Sequence, residues 1–375
     1  MSKTMEDLNE KIEEEYEKYR KSVTKPNILV VGATGVGKSS LINTIFGEEV
    51  AKVGTGNPVT KELQVYKSDH MPVCLYDTVG YEIGTDKQKD FLSNVVQYAV
   101  DSNGKKLEER IHLVWYCIAA TSHRVHAIDL NVIKKLNNEG IPVAVLLTKS
   151  DNVTDEESQK MKEIIEEELY NDIFETTNVK LDEFGYLDTF KLINWSIEQL
   201  PEGLKRAFIS AQKLDLEKKR NEANKIIIQH TTSSGIIGMS PIPFSDAPLL
   251  LSNQAGMFAR ILFVYDLNAF HPMITNLMGG IGISTLISTS GVWLVGQLLK
   301  LIPGVGTVGG AIISGSVASG ITAAIGYGIS EICYRLNKYI LENDKAGLED
   351  FLNNMQEFFK DFVMNAFKNR SSKVG

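Results

Sequence analysis

Disulfide chemistry has little to work with here: 375 residues contain three cysteines, Cys74, Cys117 and Cys333, far apart and each in apolar surroundings. That scarcity argues against a disulfide framework or a zinc cluster, and it points to a reducing compartment. Positive charge is also in deficit, with 39 Lys plus Arg against 47 Asp plus Glu and a net charge of −8. That balance argues against a globally basic nucleic-acid binder and leaves only a local patch open, so no nucleic-acid partner is expected. An apolar core is missing from the Glu- and Lys-rich first 25 residues, so no secretory signal is read there and the cytoplasm is the expected location. No repeat of fixed period recurs. From Pro272 to Ser330 charge itself is nearly absent, Lys300 being the one exception.

What is present divides the chain. Leu8, Ile12, Tyr16 and Tyr19 recur at helical spacing before Pro26, which predicts an amphipathic helix over 1–25. From 26 to 205, β-rich runs at Ile28–Val31, Leu63–Tyr66, Val73–Tyr76, Ile111–Ala119, Val143–Leu147 and Leu192–Asn194 alternate with helical patterns. Such alternation predicts an α/β domain, a mainly parallel sheet flanked by helices. Asn171–Phe190 has weak periodicity and reads as an insertion. A hydrophobic, Gly-rich all-α domain is expected over 206–337, interrupted where Pro241, Pro243 and Pro248 forbid one continuous helix. Asp246 reads as an N-cap for a helix that follows it. Over 338–375 a stripe of Leu348, Phe351, Leu352, Met355, Phe358, Phe359, Phe362 and Val363 predicts an amphipathic helix docked on the protein.

The chemistry lies in the α/β part. Strand Ile28–Val31 runs into Gly32-Ala33-Thr34-Gly35-Val36-Gly37-Lys38-Ser39, which fits G-x-x-x-x-G-K-[ST] and is followed by an apolar helical run. Glycines let such a loop curl with its amides inward, so the main chain of Gly32, Thr34, Gly35, Val36, Gly37, Lys38, Ser39 and Ser40 is expected to cradle phosphates. Lys38 then meets the β and γ phosphates, and the Ser39 hydroxyl ligates Mg²⁺. Asp77 ends strand Val73–Tyr76 and opens D-x-x-G; its carboxylate is placed to hold a magnesium-bound water, and the Gly80 amide to sense the γ-phosphate. Thr148-Lys149-Ser150-Asp151 follows Val143–Leu147. Asp151 can accept from both N1–H and the exocyclic amine of guanine, donors that adenine does not offer, so ATP is disfavoured. Lys149 lays its stem along the base, and Thr148 ties this loop to the phosphate loop. Thr60, with Thr55 as the alternative, is placed to close over Mg²⁺, and Ser196 to present a backbone amide to the guanine oxygen.

These residues resemble the Era-like GTPases of the translation-factor class, through GATGVGKSS, NPVTKE, DTVG and TKSD over about Pro26 to Leu204. The resemblance implies a Ras-like sheet, GTP or GDP with Mg²⁺ as ligands, and slow hydrolysis that switches two loops. Catalysis then falls to Lys38, Thr60 and Gly80, with Ser39, Thr60 and Asp77 around the metal. The Gln that Ras-like enzymes place after the D-x-x-G glycine is replaced by Tyr81 and Glu82; Era-like proteins commonly lack it too, which suggests slow turnover or help from a partner or second protomer. Arg124 is a candidate for that help and reads better as a surface Arg. His123 and His126 lack an acidic or cysteine companion, so no zinc is assigned. Downstream, PIPFSDAPLL and IPGVGTVGG resemble the YcjF-type hydrophobic domain of unknown function found behind bacterial GTPases.

Two charge-poor runs, Pro272–Leu299 and Leu301–Ser330, are each long enough to cross a bilayer core of about 30 Å, yet Gly, Ser, Thr and Gln297 dilute them. Lipid contact through 226–330 and a soluble all-helical domain both stay open. Gly306 with Gly310, and Ser314 with Ala318, have a spacing that suits close helix contact in either setting. The expectation is a GTPase whose nucleotide state controls the hydrophobic domain. Its rivals are a GTP-driven membrane-remodelling or pore-forming assembly and a binding switch with negligible turnover. Effector and pathway are not legible.

Overall fold

In a computed structural model the described residues are 3–47, 57–58, 63–66, 71–78, 86–181, 185–237, 247–267 and 315–371. They fall into two compact units, Val23–Asp215 and the pair Met1–Ser22 with Leu216–Gly375.

The first unit is built on one sheet of β1 (Asn27–Val31), β2 (Asn57–Pro58), β3 (Leu63–Tyr66), β4 (Cys74–Thr78), β5 (Leu113–Ala119), β6 (Val143–Thr148), β7 (Ile173–Leu181) and β8 (Gly185–Leu187), in the order β2-β3-β4-β1-β5-β6-β7-β8. The five inner strands β4 to β7 in that order run parallel, and β2, β3 and β8 pair antiparallel at the edges. Strands sandwiched between helices need apolar side chains on both faces, which is why Ile28 to Val31 and Val143 to Leu147 are unbroken apolar runs, all buried. Strand order reverses around β1, and the carboxyl end of a strand at such a reversal is where open α/β sheets leave a crevice. At the opposite end Asn27 fixes the sheet. Its side-chain amide donates to the carbonyls of Glu108 and Arg110, and its backbone N–H donates to His112 Nδ1 at 2.9 Å.

The helices of this unit are α2 (Lys38–Phe46), α3 (Asp86–Ser102), α4 (Ala127–Asn138), α5 (Asp155–Glu166), α6 (Thr189–Gln199) and α7 (Glu202–Ala211). Phe46 at the end of α2 stacks on Trp115 of β5, ring centroids 5.8 Å apart, and Phe208 of α7 meets both rings edge-on. One expected strand is corrected. Leu192–Asn194 lies within α6, because Thr189, Leu192, Ile193, Ser196, Ile197 and Leu200 bury one face at helical spacing. The fifth parallel position is taken by β7, in the segment read as an insertion; Thr176 and Thr177 are buried there and stand where apolar side chains are usual.

The second unit is helical: α1 (Lys3–Ser22), α8 (Leu216–Ile237), α9 (Ala247–Tyr265), α10 (Gly315–Leu341) and α11 (Lys345–Ser371). Helix α1 buries Ile12 and Tyr16 and sets Tyr16 and Tyr19 against Phe263 of α9. Helix α9 begins at Ala247, as the N-cap reading of Asp246 requires, though Asp246 itself lies outside the described residues. Its C-terminal carbonyls are capped by buried side chains: Lys219 Nζ donates to Val264 O at 3.0 Å and Asn337 Nδ2 to Tyr265 O at 3.1 Å. Helix α11 docks as its stripe predicts, with Phe351, Met355, Phe359 and Val363 buried.

Helix α10 has glycine where neighbours approach on different sides. A Cβ at Gly326 would stand 3.0 Å from Ile227 of α8 and from Met257 of α9, and one at Gly328 would stand 2.8 Å from the Phe359 ring of α11. Phe359 is 1% exposed and has nowhere to move. Gly328→Val is therefore expected to destabilise the helical unit by about 2 kcal/mol or more, read as a lower midpoint in chemical denaturation. An unchanged midpoint would show that α11 repacks freely.

Among the described residues no helix is long and apolar enough to cross a membrane. Pro272–Leu299, Gly306 and Gly310 lie outside them. The later part of Leu301–Ser330 opens α10, which continues through Glu331 and Arg335, and Ala323, Ala324, Ile325 and Ile329 are buried in protein contacts.

Candidate nucleotide-binding site

The loop after β1 has the backbone its glycines were expected to supply. Gly35 and Gly37 have φ of 74° and 107°, the left-handed region where a side chain is costly, and Gly37 precedes the first residue of α2. At Gly32 space is the stricter limit, since a Cβ would sit 2.5 Å from the Cys117 carbonyl oxygen on β5. The curl ends at the N-terminus of α2, whose free N–H groups and dipole favour an anion. Thr34, Gly35, Ser39 and Ser40 are exposed at this end, and Val36 is buried beneath it.

Two charged side chains line the floor. Lys38 is buried, and its Nζ donates to Gly32 O at 2.9 Å and Ala33 O at 3.2 Å, which holds the ammonium inside the curl. Burial pushes its pKa down, and the nearby Asp77 opposes that shift. Asp77, at the carboxyl end of β4, is itself pushed up to about 6 by burial, which outweighs the pull of Lys38. Its Oδ1 is buried and has no hydrogen-bond donor among the described residues. A buried carboxylate oxygen left without a donor, together with a serine hydroxyl on the first turn of α2, is a donor chemistry suited to a hard divalent cation such as Mg²⁺. Among the described residues no group of three or more His, Cys, Asp and Glu could hold a metal through side chains alone. Cys117, with its thiol pushed up to about 12 by burial, stays neutral beneath the loop.

The third element comes from β6. Thr148 Oγ1 donates to Val36 O at 2.5 Å, a direct tie between this strand and the glycine loop. Lys149 takes a left-handed φ of 58°, and its Nζ reaches Gly35 O at 2.6 Å. Asp151 follows on a short 3-10 turn; Oδ2 accepts from Asn152 Nδ2 at 2.8 Å, and Oδ1 is buried without a donor among the described residues. The turn is continued by α5, capped by Thr154, whose Oγ1 accepts from the Glu157 N–H at 3.3 Å.

The sheet thus brings Gly32 to Ser40, Asp77 and Thr148 to Asp151 together at one edge. Residues 27–149 match the family model of the 50S ribosome-binding GTPase. Over this stretch, about a third of the chain, the likeness is to a P-loop GTPase domain. Similar curated proteins include Septin-8-B of Xenopus laevis, 33% identical over 174 residues, which cover 40% of this chain and 40% of that one. Septin-10 of Mus musculus is 31% identical over 163 residues, 38% of this chain and 36% of that one. The chain therefore spans about two fifths of these relatives' length. Among solved structures, Aquifex aeolicus Era bound to GDP.AlF4- is 20% identical, with a TM-score of 0.35, and the match covers 56% of this chain and 68% of that one.

Ser196 stands apart from this candidate site. It lies within α6, fully buried, and its Oγ accepts the Trp115 indole N–H at 3.1 Å, so it belongs to the core and not to a nucleotide loop. The strand end that does lie next to β6 is that of β7, where Thr176 pairs with Thr148 and Thr177 is buried beside it. Sequence reasoning passed over this end because its threonines break the apolar run. Thr55, Thr60, Gly80, Tyr81 and Glu82 lie outside the described residues. The expectation that His123 and His126 have no acidic companion is corrected, because folding brings in Glu157, which no local spacing relates to them: His123 Nδ1 is 3.6 Å from Glu157, and His126 caps α4, its backbone N–H donating to Asp129 Oδ2.

Proposed function

We propose that this protein binds GTP and GDP with Mg²⁺ and hydrolyses GTP to GDP and phosphate, slowly, so that nucleotide state controls the helical unit. The observation that carries the reading is the pairing of Lys38 and Asp77 at one glycine curl, to which Thr148 and Lys149 tie the loop that carries Asp151. In the reaction a water oxygen attacks the γ-phosphorus, the bond to the β–γ bridging oxygen breaks, and GDP leaves with that electron pair. Lys38 and the amides of Gly35 to Ser39 stabilise the charge that gathers on the phosphate oxygens. Ser39, Asp77 and Thr60 would hold Mg²⁺, which supplies further charge neutralisation when bound. Gly80 would sense the γ-phosphate through its amide. Asp151 selects guanine, with Lys149 along the base.

The absence of Gln after Gly80 supports slow turnover, with a partner or second protomer of this chain completing the site. The scarcity of charge from 272 to 330 supports lipid association through 226–330, and the tracts PIPFSDAPLL and IPGVGTVGG support kinship of the helical unit with YcjF-type domains. Calorimetry on the full chain tests the core of this reading. GTP and GDP are expected to bind at least about hundredfold more tightly than ATP, with Mg²⁺ strengthening GTP, and single-turnover assays to release phosphate. Equal affinity for GTP and ATP would overturn it; binding without phosphate release would leave a switch and no enzyme.

A further inference from the structure

The helical unit contains a polar thread that the nucleotide chemistry does not use. Asn253 of α9 donates through Nδ2 to His230 O at 2.9 Å and to Ser234 Oγ at 2.7 Å, both on α8. With both donors committed, its Oδ1 must accept at 2.8 Å from His230 Nδ1–H, which fixes the neutral ring as the Nδ1–H tautomer. The lone pair of Nε2 is then free to accept, and Arg260 Nη1 of α9 lies 3.2 Å from it. The same guanidinium stands 5.2 Å from the centre of the Tyr19 ring of α1, a cation–π distance. One arginine thus bridges a buried histidine and the N-terminal helix.

We propose that His230 and Arg260 form an acid-released latch that holds α1 on the helical unit. Arg260 keeps its charge at every relevant pH, so the histidine is the group that titrates. Protonation puts a hydrogen on Nε2, removes the acceptor and sets two cations at 3.2 Å, and Arg260 must leave both His230 and Tyr19. Among the described residues the charged and titratable groups around the ring are few. From α1 Glu15 faces it: Glu15 Oε2 and His230 Cε1 lie 3.8 and 3.6 Å from where a Cβ on Gly256 would stand. That carboxylate favours the protonated ring, while Arg260 from α9 opposes it. On α8 no other charged residue occurs between Ile226 and Ile237, and the α10 residues that reach the thread, Ser319 and Thr322, are uncharged. Burial is the largest influence and moves the histidine below its ordinary value, so release belongs to the acid side of that value. What release uncovers is apolar: Ile12 and Tyr16 on α1, both buried when docked.

This inference does not depend on nucleotide binding. Its test is hydrogen exchange on the full chain at pH 7.5 and 5.0, corrected for intrinsic rates. Between those values the amides of Ile12 to Arg20 are expected to lose at least about tenfold protection, while those of α11 hold theirs. His230→Gln keeps an uncharged acceptor and is expected to hold α1 protection constant across the range. Arg260→Gln removes the second cation and is expected to show weaker but pH-independent protection. Constant α1 protection in the unmodified chain overturns the latch, and so does a full acid response in either variant.

Discussion

Lys38→Ala is expected to weaken GTP binding by about a hundredfold, since two charge-assisted hydrogen bonds are worth about 3 kcal/mol together. Turnover should fall by a further 10²–10³ or so, the usual effect of removing a donor aimed at developing charge. The protein should stay folded, because the lysine is a buried cation whose burial already lowers its pKa. What changes is the acid branch of stability. Asp77 is raised from 3.8 to about 6 in the folded protein, so the native state binds more protons across that interval and stability falls as pH rises through it. Without Lys38 the opposing pull disappears, and the interval extends upward. Nucleotide titration, single-turnover phosphate release and a pH series of melting temperatures check the three parts. Unchanged hydrolysis in the variant would remove Lys38 from the site altogether.

Asp151→Asn should produce the second large effect, a change of base preference. Guanine turns two donors toward this residue, and a carboxylate meets both; an amide can meet one and sets its own N–H₂ against the other. The expected loss for GTP is about a hundredfold or more. Xanthine has an oxygen where guanine has the 2-amino group, so the amide should accept from its N1–H and donate to that oxygen, and XTP should gain what GTP loses. Competition between the two nucleotides for one fluorescent probe measures the exchange. Retention of GTP preference would assign base selection to another group, with the β7 end beside Thr148 as the place to look.

The candidate nucleotide site was legible from residues 32 to 40, from Asp77 and from Thr148 to Asp151 because the chemistry proposed for it restricts residue types at fixed spacings. Phosphate binding needs glycine where φ is positive, and Gly35 and Gly37 have it. The sheet around β1 was legible for a related reason: strands buried on both faces must be apolar throughout. Ser196 and β7 mark where that logic failed. Leu192 to Asn194 is as apolar as a strand, and only the longer run from Thr189 to Leu200 reveals the helical face. Ile173 to Leu181 hides a parallel strand under Thr, Glu and Asn, with Thr176 and Thr177 tolerated inside the sheet. Placement of α1 with residues beyond 215 was not legible either, since the Tyr19 and Arg260 pairing joins parts of the chain that no local pattern relates.

Thr148 gives the pocket a property that neither loop has alone. Its hydroxyl fastens the main chain at Val36 to the strand that leads into Asp151, so the proposed seat for the tail of a nucleotide and the proposed seat for its head are joined before any ligand arrives. A molecule anchored at one seat finds the other already at its reach. The two halves of a nucleotide should therefore cooperate as the arms of a chelate do, and guanosine or tripolyphosphate supplied separately should each bind far more weakly than half the strength of the whole would suggest.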